Sequence, residues 1–427
     1  VTAVAQTPAT SAPALEVARV HSWKTPIALA IFTVLAALFF IVLGRDGTSG
    51  FRLSTAADLI QLPDLAVPTR LSCVVMVVLL ALITAYSFFQ TSRYRKVHLA
   101  IISLFAVLFL AAFLTWASAE HTLGVPGLLI GTVGLSVPLV FGALGGVISE
   151  RVGVVNVAIE GQLLAGAFVS AVLTSITGQP LLGVVGAMVA GVLVSFVLAA
   201  FSIKYLVDQV IVGVVLNVLV LGITSFLYSK VLVDNKEALN TPIRFDRIDI
   251  PVLSQIPIVG PMLFRQTIIV YIMYITIALV YIGLFHTKWG LRVRAVGEHP
   301  QAADTVGINV NSTRFWNVSL AGAVAGLGGA YLTLGSVGSF GKDMTAGVGF
   351  IALAAVIFGR WDPIRATLAA LLFGFASNLQ SVLTILEAPV PSQFMLMLPY
   401  LVTIFAVAGL VGASRGPAAS GKPYIKS

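Results

Sequence analysis

The sequence predicts an all-α polytopic membrane protein with about twelve transmembrane helices. Three observations predict it. Hydrophobic residues make up 58% of the 427 residues and charged residues 10%, with a mean hydropathy of +1.01, whereas soluble domains carry about a quarter charged residues. The apolar residues fall in runs near the ~20 residues that a helix needs to cross a bilayer. The basic residues sit in short gaps between those runs, and with a cytoplasmic N-terminus every compact basic cluster falls on one side, as the positive-inside bias requires.

Residues 1–25, rich in Ala, Thr, Ser and Pro, read as a disordered cytoplasmic tail. The run 26–43 is long for the apolar core of a signal peptide and lacks an Ala-x-Ala-like site after it, so it reads as a retained first span. Further runs fall at 71–90, 98–118, 127–148, 154–177, 181–203 and 209–229, then at 267–286, 315–335, 346–359, 364–382 and 395–412. The 346–359 run is short enough for a re-entrant or broken segment. Twelve spans put both termini, including the tail 413–427, in the cytoplasm. The inside loops then carry Arg93, Arg95 and Lys96, then Glu150–Arg151, Lys204, the basic loop 287–314, Arg360 with Arg365, and the tail cations Arg415, Lys422 and Lys426. The largest outside loop, 230–266, has five Lys/Arg against four Asp/Glu and no strong bias.

Two extra N-terminal spans (26–97) leave ten, which divide into 98–229 and 267–412. Five spans per half make the second half enter the membrane from the opposite side, the inverted repeat common in transporters. Gly142-Ala143-Leu144-Gly145-Gly146 in the second span of one half matches Gly326-Leu327-Gly328-Gly329 in the second span of the other. The plainer reading of these glycines is close packing, since Gly142/Gly146 and Gly322/Gly326 are both G-x-x-x-G pairs.

The net charge of +8 reflects orientation in the membrane rather than nucleic-acid binding. The single cysteine, Cys73, excludes an intramolecular disulfide and a Cys-based metal site. No phosphate-binding G-x-x-x-x-G-K-[ST] and no H-E-x-x-H occurs, and the spans hold few carboxylates for a proton relay. The chain reads as a non-enzyme without a cofactor of its own; uphill transport would draw energy from another subunit.

Two places carry function. In the loop 287–314, Lys288, Arg292, Arg294 and Arg314 outnumber Glu298 and Asp304. Pro300 suits a first helical position with Glu298 or His299 before it, Gln301 to Val306 can wind, and Gly307 can end the turn. Such a helix between two spans is a handle for a soluble partner, or simply a solvated loop. Within the spans, Glu160 follows Arg151 by nine residues, about 13 Å along a helix. It belongs to a solute path, caps a helix N-terminus, or pairs with Arg151. Asn217 and Asn378 suit a hydroxylated or heterocyclic neutral solute and equally serve as interhelical hydrogen-bond partners. Tyr331, Phe340 and Phe350 flank a Gly-rich stretch and could stack on a planar ring.

Three stretches carry a resemblance: Asn156 to Phe168 (N-V-A-I-E-G-Q-L-L-A-G-A-F), Arg292 to Val310 (R-V-R-A-V-G-E-H-P-Q-A-A-D-T-V-G-I-N-V) and Gly349 to Pro363 (G-F-I-A-L-A-A-V-I-F-G-R-W-D-P). In this order and spacing they resemble the permeases of bacterial ATP-binding-cassette importers of the ribose and nucleoside branch, over about residues 120–412, and the A-I-E-G-Q wording is similar to the nucleoside type. The resemblance implies that Glu298, His299, Pro300, Ala302, Ala303, Asp304 and Gly307 belong to a coupling helix that docks on a cytoplasmic ATPase. It implies that Asn156, Glu160 and Gln162 lie near the translocation path, to which the polar reading adds Asn217, Asn378 and Phe350. The implied partners are a homologous second permease or a second copy, an ATPase with two nucleotide-binding cassettes that holds the ATP and Mg, and a substrate-binding lipoprotein. The implied location is the bacterial cell membrane. A free sugar such as ribose or galactose is the rival substrate, and an ion-coupled transporter without an ATPase is the rival class.

Overall fold

The computed structural model describes residues 23–95, 97–386 and 416–426, with Gln393 and Met397. The expected tail over 1–22, and the expected twelfth span at 395–412 apart from Met397, lie outside the described residues. The chain forms two compact units, one of residues 1–50 and 65–123, the other of 51–64 and 124–427.

In the first unit, α1 (Lys24–Ala37) continues as a π-helical turn over Leu38–Val42. Then come β1 (Thr48–Arg52), β2 (Leu65–Pro68), α2 (Thr69–Ser92), α3 (Leu99–Ala117) and β3 (Thr122–Gly124), the strands ordered β2-β1-β3. Phe40 packs among Phe109, Phe113 and Trp116 of α3, and the Trp116 indole donates to Leu43 O at 3.0 Å. Buried Ser49 donates to Thr115 O at 2.6 Å. The sequence division places 98–118 with the later spans. By contacts α3 falls in one compact unit with α1 and α2, its aromatic face meeting Phe40.

The second unit contains α4 (Val125–Arg151), α5 (Ile159–Thr177), α6 (Pro180–Ala199), α7 (Gln209–Leu227), α8 (Lys236–Leu239), β4 (Arg247–Asp249), β5 (Arg265–Thr267) and α9 (Ile268–His286). It continues with α10 (Lys288–Glu298), α11 (Pro300–Thr305), α12 (Val310–Ala330), α13 (Val348–Phe358) and α14 (Pro363–Ile385). π-Helical turns extend α6 to Lys204, α7 to Leu232 and α12 to Val337. β4 and β5 pair antiparallel with Arg247 opposite Thr267, so the expected outside loop 230–266 is partly regular structure.

Local sequence sets the boundaries. Pro126, Pro180, Pro300 and Pro363 sit in first turns, where their missing N–H costs nothing. Asp208 accepts from Val210 and Ile211 N–H at 2.9 and 3.0 Å, and Asn309 and Asp362 cap α12 and α14 in the same way. Gly338 (φ +82°) and Gly347 (φ +90°) supply the left-handed backbone that ends α12 and opens α13.

Among the described residues ten helices are long and apolar enough to cross a membrane. α13, with 11 residues, reaches only about 16 Å and is too short to cross alone, as its short apolar run predicts. α12 packs along α6 and α4, α4 packs along α14, and α5 and α13 lie against α12 and α4 respectively. Small residues make these approaches possible: a Cβ on Gly326 would lie 2.2 Å from Ala187 O of α6. Lipid offers helices no hydrophobic drive to associate, so such backbone contact is what holds them.

Candidate functional site

Two helices begin inside the bundle. From the end of α4 the chain turns back through residues 152–158, and α5 starts where Ile159 packs against Gly142 and Gly146 of α4. Those glycines lie five and nine residues before Arg151, about 7–13 Å along the helix. Ala352 and Val356 of α13 pack on the same two glycines from another side. The first turn of α13 therefore opens at this depth, with its free N–H groups and the positive end of its dipole directed inward.

Glu160 meets that end. Its Oε1 accepts from Gly347 N–H at 2.8 Å and its Oε2 from Gly349 N–H at 2.5 Å. A Cβ on Gly349 would lie 2.5 Å from Glu160 Cα, so glycine is required for the approach. Of the alternatives the sequence leaves open for Glu160, the structure makes it a helix cap, but for α13 rather than its own helix. Arg151 is not its partner: the guanidinium Nε donates to Trp361 O at 2.8 Å, and the Trp361 indole donates to Glu150 at 2.5 Å.

The start of α5 is held in a parallel way. Asn217 of α7 accepts from Gly161 N–H and donates to Val157 O, both at 2.8 Å. Asn156 and Gln162, fully buried, bond each other through their amides at 3.1 and 3.3 Å, and Gln162 donates to Ser195 of α6 at 2.9 Å. Sequence reasoning missed Ser195, because nothing in its apolar run marks which helix face meets Gln162. Phe350 follows Gly349 on the first turn of α13 and is half exposed. These five expected path residues gather around the two helix starts. Asn378 does not join them. It lies near the far end of α14, donating to Leu128 O at 2.6 Å, where the starts of α4 and α9 and the end of α12 enclose a cavity of about 570 Å³.

The opposite end of the bundle carries α10 and α11. Thr287 caps α10 through Gly290 N–H at 3.2 Å, and α10 turns Val293, Val296 and Gly297 inward. A Cβ on Gly297 would lie 2.1 Å from Arg151 O, so α10 rests directly on the last turn of α4. Arg151 and Arg294 lie over the Phe285 ring at 5.6 and 5.3 Å. α11 forms where the sequence places it, with Pro300 first and Gly307 (φ +86°) just beyond its end. Glu298, His299, Ala302 and Gly307 are exposed, together with Gln301, Thr305 and Val306, whereas Pro300 and Ala303 are buried and anchor the helix.

A strap of residues 416–426 crosses this end. Gly416 lies on the Trp361 ring, Ala418 N–H donates to Glu298 at 3.2 Å, and Ala419 N–H donates to Gly297 O at 2.9 Å. Lys422 O accepts from Arg314 at 3.0 Å, and the Tyr424 hydroxyl stands near the Asp304 carboxylate. Burial, and then the Asp304 carboxylate, hold the Tyr424 phenol above its ordinary pKa, so it stays a donor. Arg314, read from sequence as a solvated loop charge, is 1% exposed beneath the strap. Among the described residues no cluster of three or more His, Cys, Asp or Glu side chains fit to hold a metal is present.

Comparison with known proteins decides the family. The family described as branched-chain amino acid transport system / permease component matches residues 128–407. The chain belongs to this permease family. The permease is 42% identical over 306 residues to the guanosine ABC transporter permease protein NupQ of Bacillus subtilis (strain 168), covering 69% of this chain and 95% of that one. It is 39% identical over 301 residues to the nucleoside ABC transporter permease protein NupC of Lactococcus lactis subsp. cremoris (strain MG1363), covering 68% and 94%. The putative glucose ABC transporter permease protein TsgC13 of Haloferax volcanii is 34% identical over 258 residues, covering 60% of this chain and 77% of that one. No solved structure gives a significant match.

Proposed function

We propose that the chain is the membrane-spanning subunit of an ATP-driven importer of nucleosides, working by alternating access. The observation that carries the mechanism is the meeting of two inward-starting helices at Glu160, since broken helices whose N-termini converge inside a bundle mark the moving centre of many transporters. The packing supports a ten-span core of two inverted halves: exchanging α4 with α12, α5 with α13 and α6 with α14 maps the contacts α12–α6 and α12–α5 onto α4–α14 and α4–α13. The expected twelfth span completes the second half in this reading. The identities of 42% and 39% to permeases named for guanosine and nucleosides, against 34% to one named as a putative glucose permease, favour a nucleoside cargo over a sugar.

The end with α10 and α11 faces the cytoplasm in this reading, because its loop is the basic one, and both termini lie on that side of a bacterial cell membrane. A separate ATPase with two nucleotide-binding cassettes grips the exposed residues around α11. A second permease, homologous or identical, completes the path, and a lipoprotein delivers the solute from outside. When the cassettes close, α11 moves. α10 carries the motion to α4 through Gly297 and Arg151, and the starts of α5 and α13 shift about Glu160. Asn156, Gln162 and Asn217 act here by holding the helix starts, with Phe350 beside them.

Cells lacking this gene are expected to lose uptake of radiolabelled adenosine and uridine, to keep uptake of ribose, and to recover on return of the gene. Loss of ribose uptake alone moves the cargo to a sugar. Gly297→Leu should cut nucleoside uptake by about tenfold or more, because overpacking against Arg151 O pushes α10 off α4. Normal uptake from this variant would remove α10 from the coupling route.

A further inference from the structure

The cavity at the end of the bundle opposite α10 has the size and chemistry of a solute site. Its volume of about 570 Å³ falls within the roughly 300–1,000 Å³ of small-molecule pockets. Its walls come from the start of α4, the segment 244–247, β5 with the start of α9, the end of α12 and the end of α14. Glycines on α4 make the space, and three groups face it with unmet capacity. Thr267 is 6% exposed, and its Oγ1 has no hydrogen-bond partner. Asn378 spends its Nδ2 on Leu128 O and Thr132 Oγ1, while its Oδ1 takes no protein hydrogen among the described residues and lies 2.5 Å from where a Gly131 Cβ would stand. The Tyr331 ring lies on Gly335, and its hydroxyl reaches across to Gly134 of α4, 3.1 Å from where a Cβ there would be.

A buried hydroxyl without a partner costs free energy unless something else satisfies it. Thr267 lines the cavity, so a polar group bound there can satisfy it. Tyr331, 7% exposed, offers the cavity its hydroxyl and a small part of its ring, and beside an amide oxygen and the Thr267 hydroxyl this suits a planar ring that bears N–H and O–H groups. Arg244 and Arg247 stand with Asp246 at the wall, two positive charges against one negative, so the lining leans positive and disfavours a cationic solute more than a neutral one.

We propose that this cavity is the outward-facing receiving site for the nucleoside, with the base against Tyr331 and its polar edge or sugar hydroxyls bonded to Thr267 Oγ1 and Asn378 Oδ1. The proposal rests on the importer reading above and names the site where the cargo first binds. Glu160 and its neighbours then form the gate beneath it rather than the binding surface.

The test is concentration-dependent uptake of labelled guanosine, adenosine and uridine by the full transporter in cells, with permease abundance in the membrane measured alongside. Thr267→Val keeps the shape, breaks no hydrogen bond within the protein, and should raise KM about fivefold, the share of one neutral hydrogen bond, at unchanged abundance. Gly134→Leu should fill the cavity and cut uptake by about tenfold or more. Tyr331→Phe should be mild and Tyr331→Leu severe, since the ring rather than the hydroxyl shapes the wall. Wild-type uptake with unchanged KM in both Thr267→Val and Gly134→Leu would overturn the site while leaving the importer reading intact. Failure of the wild-type chain to support nucleoside uptake would overturn both.

Discussion

Glu160→Ala is expected to reduce nucleoside uptake by about tenfold or more with the permease still present in the membrane. The carboxylate answers two N–H groups at the start of α13, from Gly347 and Gly349, and each buried N–H left without a partner costs roughly 1–3 kcal/mol. Water cannot take over easily at a position 8% exposed. α13 should then shift or fray at its first turn, the place where it meets α5. Glu160→Gln should be nearly as severe, because an amide offers one acceptor oxygen and turns donors toward an N–H group. Uptake normalised to membrane abundance measures both. Near-normal uptake in Glu160→Ala would show that the cap is dispensable and that the gate lies elsewhere.

Removing residues 416–426 is expected to uncouple the transporter. The strap ties the α13–α14 turn at Trp361, the α10–α11 junction at Gly297 and Glu298, the start of α12 at Arg314, and α11 at Asp304. Without it α11 is held chiefly by buried Pro300 and Ala303, and Arg314 loses its acceptor at Lys422 O. ATP hydrolysis by the assembled complex should persist while uptake per ATP falls by about tenfold, the cost of losing a few neutral and charge-assisted hydrogen bonds. Tyr424→Phe removes only the hydroxyl near Asp304 and should fall between the truncated and wild-type chains. Equal loss of hydrolysis and uptake on truncation would mean that the strap serves assembly rather than transmission.

The spans were legible because a bilayer imposes a length and a polarity that any apolar run displays. α11 was legible because Pro300 and Gly307 punctuate it locally. What the sequence does not display is who meets whom across the bundle. Glu160 reads as an expensive carboxylate, but its partners at Gly347 and Gly349 lie 187 and 189 residues away. Arg314 counts as a loop cation until a segment 108 residues later covers it. Asn156, Gln162 and Asn217 look like solute ligands by type, yet their amides are taken up by one another and by the backbone. Asn378 has the same chemistry, and its Oδ1 remains unspent at a cavity. The grouping of α3 with α1 and α2 depends on which faces of Phe109, Phe113 and Trp116 meet Phe40, a matter of packing that hydropathy does not encode.

The most direct measurement is accumulation of labelled guanosine in vesicles that carry the whole complex, with ATP supplied to the cassettes and ion gradients collapsed. The account predicts accumulation that requires ATP and persists without any gradient. Accumulation that follows a proton or sodium gradient and ignores ATP would contradict it.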